Sequence, residues 1–208
     1  KIIRAYPDKV AVKFSNIHIT YSRLLERASA IASFMKKAGL KKGDRFGVLM
    51  SNRLECVELD LAAALTGFVK VPLNFKLHPN EHKFQIEDAD LSILIGEQEL
   101  IEPIDINVDS LYLGESYEKI IDNYNGEVIN EEIHEDDLFA IMYTSGTTGN
   151  PKGVMLSNKN ILAGAISLSL VCEVNSEDII GHVAPLTHGA NFLSQMAWLH
   201  GNTQVIYN

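Results

Sequence analysis

The sequence predicts an α/β fold, a mostly parallel sheet flanked by helices. Three observations carry this prediction. Short β-prone runs alternate with stretches whose apolar residues recur at helical spacing. Turn and stop residues such as Gly39, the KKGD run, Gly67 and Gly201 stand between them. The chain has 208 residues, 46% of them apolar and 22% charged, which is enough side-chain mass for one sizeable core and argues against disorder.

The elements follow in order. Val10–Phe14 and residues 17–21 flank Ser15 and Asn16 and suit a hairpin. Thr20 can cap a helix through Lys37, with Leu24, Leu25, Ala28, Ile31, Ala32 and Met35 on one face. Gly39 suits its C′ position. Residues 45–50 (RFGVLM) form a short buried strand. Asn52 begins a second helix, with Val57, Leu61, Ala64 and Leu65 facing inward and Gly67 ending it. Val69–Leu73 is a strand whose Pro72 points to an edge or an end. A helix over 80–88 leads to a strand at 91–95. Strand, helix, strand, helix, strand in succession argues for parallel pairing through crossovers.

Residues 96–137 are acidic and less regular. They suggest one or two short strands (104–106, 110–113) and a surface helix at Glu115–Asp122, and offer the place for a subdivision. Order returns with a buried strand at Leu138–Thr144. After a loop come a strand at 154–156, a helix capped by Ser157, a strand at 181–184, a helix at Asn191–His200 and a strand from Thr203.

Composition excludes some functions. Lys and Arg total 18 against 27 Asp and Glu, a formal charge of −9. With no basic face, nucleic acid is not expected as the main partner. No apolar run is long enough for a membrane-spanning helix. Cys56 and Cys172, far apart and in apolar contexts, read as reduced core residues of a cytoplasmic protein. No secretory leader is visible, and the chain does not begin with Met.

The chemical signal lies in residues 143–153, YTSGTTGNPKG. Thr144, Ser145, Thr147 and Thr148 cluster with Gly146, Gly149 and Gly153, and Lys152 is the loop's cation. Glycines allow close backbone approach, successive N–H groups form an anion nest, hydroxyls add donors and a lysine adds a point charge. That set suits a polyphosphate. The common P-loop requires Gly-Lys-Ser/Thr opening a helix, whereas Lys152 is followed by Gly153 and a strand. On composition alone, a polar surface turn stays open as the reading. His78 and His82 flank Glu81 in the wrong order for a zinc protease and read as surface residues beside Pro79. Asp44 and Asp60 invite no catalytic reading without partners.

YTSGTTGNPKGVMLSNKN resembles the phosphate-binding signature of the adenylate-forming enzyme superfamily, the acyl-CoA synthetases above all. ITYSRLLERASAIASFMKKAGLKKGDRFGVLMSN, LAAALTGFVKVPLNFKL and APLTHGANF extend the resemblance over nearly the whole chain. It implies an ATP-dependent acid–thiol ligase. A carboxylate attacks ATP to give an acyl-adenylate and pyrophosphate, and a thiol, usually coenzyme A, then displaces AMP. By resemblance, Thr144, Ser145, Gly146, Thr147, Thr148 and Gly149 wrap the β- and γ-phosphates, Lys152 neutralises them, and Thr144 approaches Mg²⁺. His188 lies near the acyl group, with Thr187 where relatives often carry an aromatic residue. Asn158 stands where many relatives have His. Phe192, Met196 and Trp198 either line an acyl tunnel or form the core face of a helix. A fatty or related carboxylic acid is the expected substrate. The alternative is an adenylation domain that activates an amino or hydroxy acid for a carrier protein.

The resemblance also bears on length. Family members are more than twice as long and carry later motifs and a mobile C-terminal domain. Residues 1–208 are therefore expected to be the N-terminal portion of the large AMP-binding domain, inactive as a ligase by themselves.

Overall fold

The computed structural model describes residues 5–126, 128–144 and 151–207. Two sheets organise them. The hairpin forms first: β1 (Val10–Phe14) pairs antiparallel with β2 (Ile17–Thr20). Thr20 then caps α1 (Tyr21–Lys37), its side chain accepting from Arg23 N at 3.3 Å. Lys36 and Lys37 in the last turn complement the helix dipole. Tyr21, Leu24, Ala28, Ile31 and Met35 are fully buried, so the helical spacing read from sequence is the face that packs.

The larger sheet follows from βαβ crossovers. Its strands are β3 (Arg45–Leu49), β4 (Val69–Leu73), β5 (Ile93–Gly96), β6 (Ser110–Tyr112), β7 (Leu138–Thr144) and β8 (Lys152–Ser157), in the order β6-β5-β3-β4-β7-β8. All neighbours pair in parallel except β7 and β8, which are antiparallel. The connecting helices are α2 (Leu54–Thr66), α3 (Pro79–Asp88), α4 (Gln98–Ile101) and α5 (Glu115–Asp122). Gly67 closes α2 in the left-handed region at φ 71°, where an L side chain would be strained. At Gly96 the constraint is space instead: a Cβ there would sit 1.9 Å from Leu49 O on the neighbouring strand.

The smaller sheet joins the chain's two ends. β9 (Ile179–His182) and β10 (Thr203–Ile206) give the order β2-β1-β10-β9, with β10 parallel to both β1 and β9. Between them run α6 (Asn158–Val171) and α7 (Asn191–His200).

The α/β reading holds, and several local expectations are corrected. Asn52 does not start α2. The helix begins at Leu54, and the Asn52 side chain bonds elsewhere. Pro72 does not mark an edge: β4 lies between β3 and β7, and Pro72 is tolerated because the registered pairing with β7 is at Lys70. Residues 104–106 form no strand, and the short helix α4 precedes them. His82 is buried rather than on the surface, and its Nε2 lies 2.9 Å from Asn74 O, which ties α3 to the turn before it. Cys56 is buried but Cys172 is exposed, since it sits just past the end of α6. Met196 is core, and Trp198 packs edge-on against Tyr21 at 6.1 Å, so these residues take the core reading. The outer stripe of α6 is unusually apolar: Leu162 and Ile166 are exposed, and Leu170 and Val171 are 74% and 82% exposed.

Buried ionic groups tie the layers together. Arg27 of α1 bonds both Glu58 of α2 and Glu118 of α5, the latter through two contacts of 2.7 Å. Tyr117 donates to Glu58 at 2.9 Å, completing the set. Burial opposes the Arg27 charge, yet hydrogen bonds and attraction from Glu118 and Glu58 raise its pKa overall. Burial pushes Glu58 up against the pull of Arg27, while the Arg27 hydrogen bond holds the half-exposed Glu118 down. No helix among the described residues is long and apolar enough to cross a membrane.

Candidate active site

The strand β7 ends at Thr144, and β8 begins at Lys152. The two residues are direct register partners, and Thr144 Oγ1 donates to Lys152 O at 3.5 Å. Lys152 is therefore a strand residue rather than a loop residue, and it is exposed with no ion-pair partner among the described residues. Ser145, Gly146, Thr147, Thr148 and Gly149 lie outside the described residues.

A cleft of about 500 Å³ opens at the end of β7. Thr144 and Pro151 line it from the phosphate-loop side, and His188 lines it from the segment after β9. The opposite wall is Asn74, Leu77, Glu81 and Gln85, from the turn before α3 and from α3 itself. Lys152 is not among the lining residues. Three segments distant in sequence, residues 72–85, 143–151 and 188, thus meet in one mixed polar and apolar cavity, the usual setting for a small-molecule site.

Local structure explains each wall. His78 and Glu81 form a reciprocal cap on α3. Asn80 N donates to His78 Nδ1 at 3.2 Å, and His78 N donates to Glu81 Oε2 at 3.0 Å. Pro79 occupies the first turn, where no N–H is needed. Tyr143 donates to Asp88 at 2.6 Å and so fastens the end of β7 to α3. Burial first, and then this carboxylate, raise the Tyr143 pKa and keep the phenol protonated. Gln85 is buried and lines the cleft, yet its Oε1 has no partner among the described residues. An unmet buried acceptor in a cleft wall is a point where a ligand donor gains a hydrogen bond.

His188 is exposed at the cleft. Its N–H donates to Pro185 O at 3.1 Å, and its carbonyl accepts from Asn191 N at 2.9 Å. Around it, Leu186 and Thr187 are buried. Asn158, at the start of α6, bonds the carbonyls of His134 and Asp137 and so fixes the connector before β7, more than 20 residues back in sequence. Asp60 has partners that only the fold brings to it. It pairs with Lys70 inside the protein and accepts from Asn191 Nδ2 at 2.7 Å.

The AMP-binding enzyme family matches the chain over residues 1–208. The chain belongs to the AMP-binding enzyme family. A 2-succinylbenzoate–CoA ligase of Bacillus cereus strain Q1 is 31% identical over 183 residues, covering 88% of this chain and 37% of the relative. The same enzyme of Bacillus cytotoxicus is 32% identical over 182 residues, again 88% of this chain and 37% of the relative. The chain thus spans little more than a third of the curated relatives it matches. Among solved structures, the o-succinylbenzoate CoA synthetase of Bacillus subtilis, in complex with its acyl-adenylate intermediate, superposes with a TM-score of 0.86. It is 27% identical, over 99% of this chain and 54% of that one. The N-terminal domain of FACL13 from Mycobacterium tuberculosis, with inhibitor, gives 0.92 at 26% identity, over 99% and 55%. The AMP-binding fold of these N-terminal regions is therefore the fold of this chain.

Sequence reasoning named Thr144, Lys152 and His188 but passed over Asn74, Glu81, Gln85 and Tyr143. Tyr143 stands inside the quoted signature, so its position was a signal. The α3 wall carries none, since only the pairing of β4 beside β7 brings that helix to the phosphate side.

Proposed function

We propose that the natural-length protein is an ATP-dependent acid–thiol ligase that makes an acyl-adenylate and then a thioester of coenzyme A. The observation that carries this is the single cleft shared by Thr144, Pro151 and His188, in a chain of the AMP-binding enzyme family. In the first step a carboxylate oxygen attacks the α-phosphorus, and the bond to pyrophosphate breaks. In the second, a thiolate attacks the acyl carbon, and AMP leaves. Thr144, Ser145, Gly146, Thr147, Thr148, Gly149 and Lys152 hold the β- and γ-phosphates, so charge developing on the leaving pyrophosphate meets fixed donors. His188, across the cleft, contacts the acid and the adenylate. Mg²⁺, when bound, supplies further positive charge to the phosphate oxygens, and Thr144 is the residue of this chain that would approach it.

The acid class is a fatty or related carboxylic acid. The names of the curated relatives add 2-succinylbenzoate, an aromatic dicarboxylate, as the first competitor to examine. A cytoplasmic location, with its ATP and coenzyme A pools, belongs to the same proposal. Residues 1–208 alone are expected to lack ligase activity.

The test is acid-dependent exchange of pyrophosphate into ATP by the natural-length protein, run with fatty acids, 2-succinylbenzoate and amino acids. Exchange with a fatty or aromatic acid, followed by thioester formation with coenzyme A, supports the reading. No exchange with any acid refutes it, and exchange confined to amino acids with no coenzyme A product moves it to carrier-protein adenylation.

A further inference from the structure

We infer that Asn52 is a positioning residue that sets the place of His188 in the cleft. The inference rests on the ligase reading, since it concerns the same cleft. Asn52 lies in the turn between β3 and α2, and it is 8% exposed. All its side-chain bonds reach across the molecule. Oδ1 accepts from Leu186 N at 2.8 Å, and Nδ2 donates to Ala184 O at 3.0 Å and to Tyr207 O at 3.3 Å. Ala184 and Leu186 follow β9, and Tyr207 follows β10, so one amide joins the large sheet to two exits of the small sheet. Only an amide fits this place. A carboxylate cannot donate to the two carbonyls, and an aliphatic side chain of the same shape would leave all three backbone groups without their side-chain partner.

The same segment is held at its other end from the helix that follows Asn52. Asn191 Nδ2 donates to Asp60 Oδ2 at 2.7 Å, and Asp60 is paired with Lys70. Asp60 is on α2, the helix that begins two residues after Asn52. His188 is two residues from Leu186 and three from Asn191, so the stretch is tethered at both ends to the α2 unit. Leu186 and Thr187 are buried between the tethers, which leaves His188 as the polar side chain presented to the cleft. Displacement of the first tether moves His188 without touching Thr144 or Lys152.

The experiment uses the natural-length protein and pyrophosphate exchange for wild type, Asn52→Ala, Asn52→Asp, His188→Ala and Asn52→Ala/His188→Ala, with thermal unfolding of each. Asn52→Ala is expected to lower kcat/KM for the acid about 10-fold while KM for ATP changes less than about 2-fold, the split that separates acid positioning from general damage. The double variant is expected to fall within about 2-fold of His188→Ala alone, because a positioning residue has nothing left to position. Asn52→Asp keeps the Leu186 bond and loses both donations, and it is expected between wild type and Asn52→Ala. It carries the test if Asn52→Ala does not fold. Losses that multiply in the double variant, or a KM for ATP that rises in step with that for the acid, overturn the inference alone. A wild type without exchange overturns the ligase reading and this inference together, whereas a His188→Ala variant equal to an exchanging wild type overturns this inference alone.

Discussion

Replacing Lys70 by Met tests the buried joint directly. Lys70 is 3% exposed and Asp60 is 2% exposed, and they form an ion pair with each other inside the protein. The substitution conserves volume but leaves the Asp60 carboxylate buried, with the Asn191 amide as its remaining hydrogen-bond donor. Breaking one side of a buried pair typically costs about 3–5 kcal/mol. For a chain of this size each kcal/mol moves the midpoint by roughly 2–4 °C, so a fall of roughly 6–20 °C is expected. Adding Asp60→Asn removes the orphaned charge and keeps an oxygen for Asn191. It should return roughly 2 kcal/mol of the loss. Equilibrium urea unfolding of wild type, Lys70→Met and the double variant measures both steps. A loss below about 1 kcal/mol for Lys70→Met, or a double variant weaker than the single, would falsify the picture of a dry, mutually dependent pair.

Other outcomes follow from the same structure. Gly96→Ala places a Cβ against Leu49 O at 1.9 Å and should cost at least about 1–3 kcal/mol in urea unfolding, with no change at the cleft in ligand titration. Thr20→Ala removes the α1 cap and should cost about 1 kcal/mol, seen as a shifted midpoint with unchanged slope. Lys152→Ala in the natural-length protein should raise the Kd for ATP about 10-fold or more and spare acid binding, read by calorimetric titration of each ligand. His182 is buried, and burial holds its pKa below the usual 6.5 even though the Gln204 hydrogen bond and Asp60 pull it up. The unfolded chain therefore binds more protons in that range, so the His182 contribution is complete above about pH 6.5 and is lost as pH falls. The Tm difference between wild type and His182→Gln should shrink from pH 7.5 to 5.5. A difference that is flat across this range contradicts it. Glu58, pushed up by burial, acts in the opposite direction, which is why the comparison is between variants rather than between pH values alone.

Much of this architecture is local and hence readable. The α1 face, the Thr20 cap and the Gly67 stop each depend on residues within one or two turns, and each stands where its pattern places it. Thr144 and Lys152 were likewise marked by composition, although Lys152 proves to belong to β8. What was hidden depends on separation in sequence. Asn52 looks like a helix start because Asn favours caps, but its bonds go 132 to 155 residues away. Asp60 shows no role until folding sets Lys70 and Asn191 beside it, and Glu58 sits unmarked in an apolar helix until Arg27 and Tyr117 converge on it. His82 and Cys172 were misplaced for the same reason: burial depends on what packs over a residue, and one-dimensional pattern does not carry that.

The placement of the cleft residues sharpens why these polar contacts are buried. Thr144 and Lys152 belong to the six-stranded sheet, and His188 follows β9 of the four-stranded one. Their relative position is thus the relative position of two sheets. Apolar packing brings sheets close but tolerates sliding and repacking. Hydrogen bonds are directional and fail over a few tenths of an ångström. The joint carries several of them: Asn52 to three backbone groups, and Asn191 to Asp60. Each would be costly to leave unmade in a dry interior, so each penalises a shifted sheet. A site assembled from two sheets keeps its geometry only if the seam between them is specified this way. The polar seam, rather than the core that surrounds it, is therefore where a distant substitution should reach the chemistry.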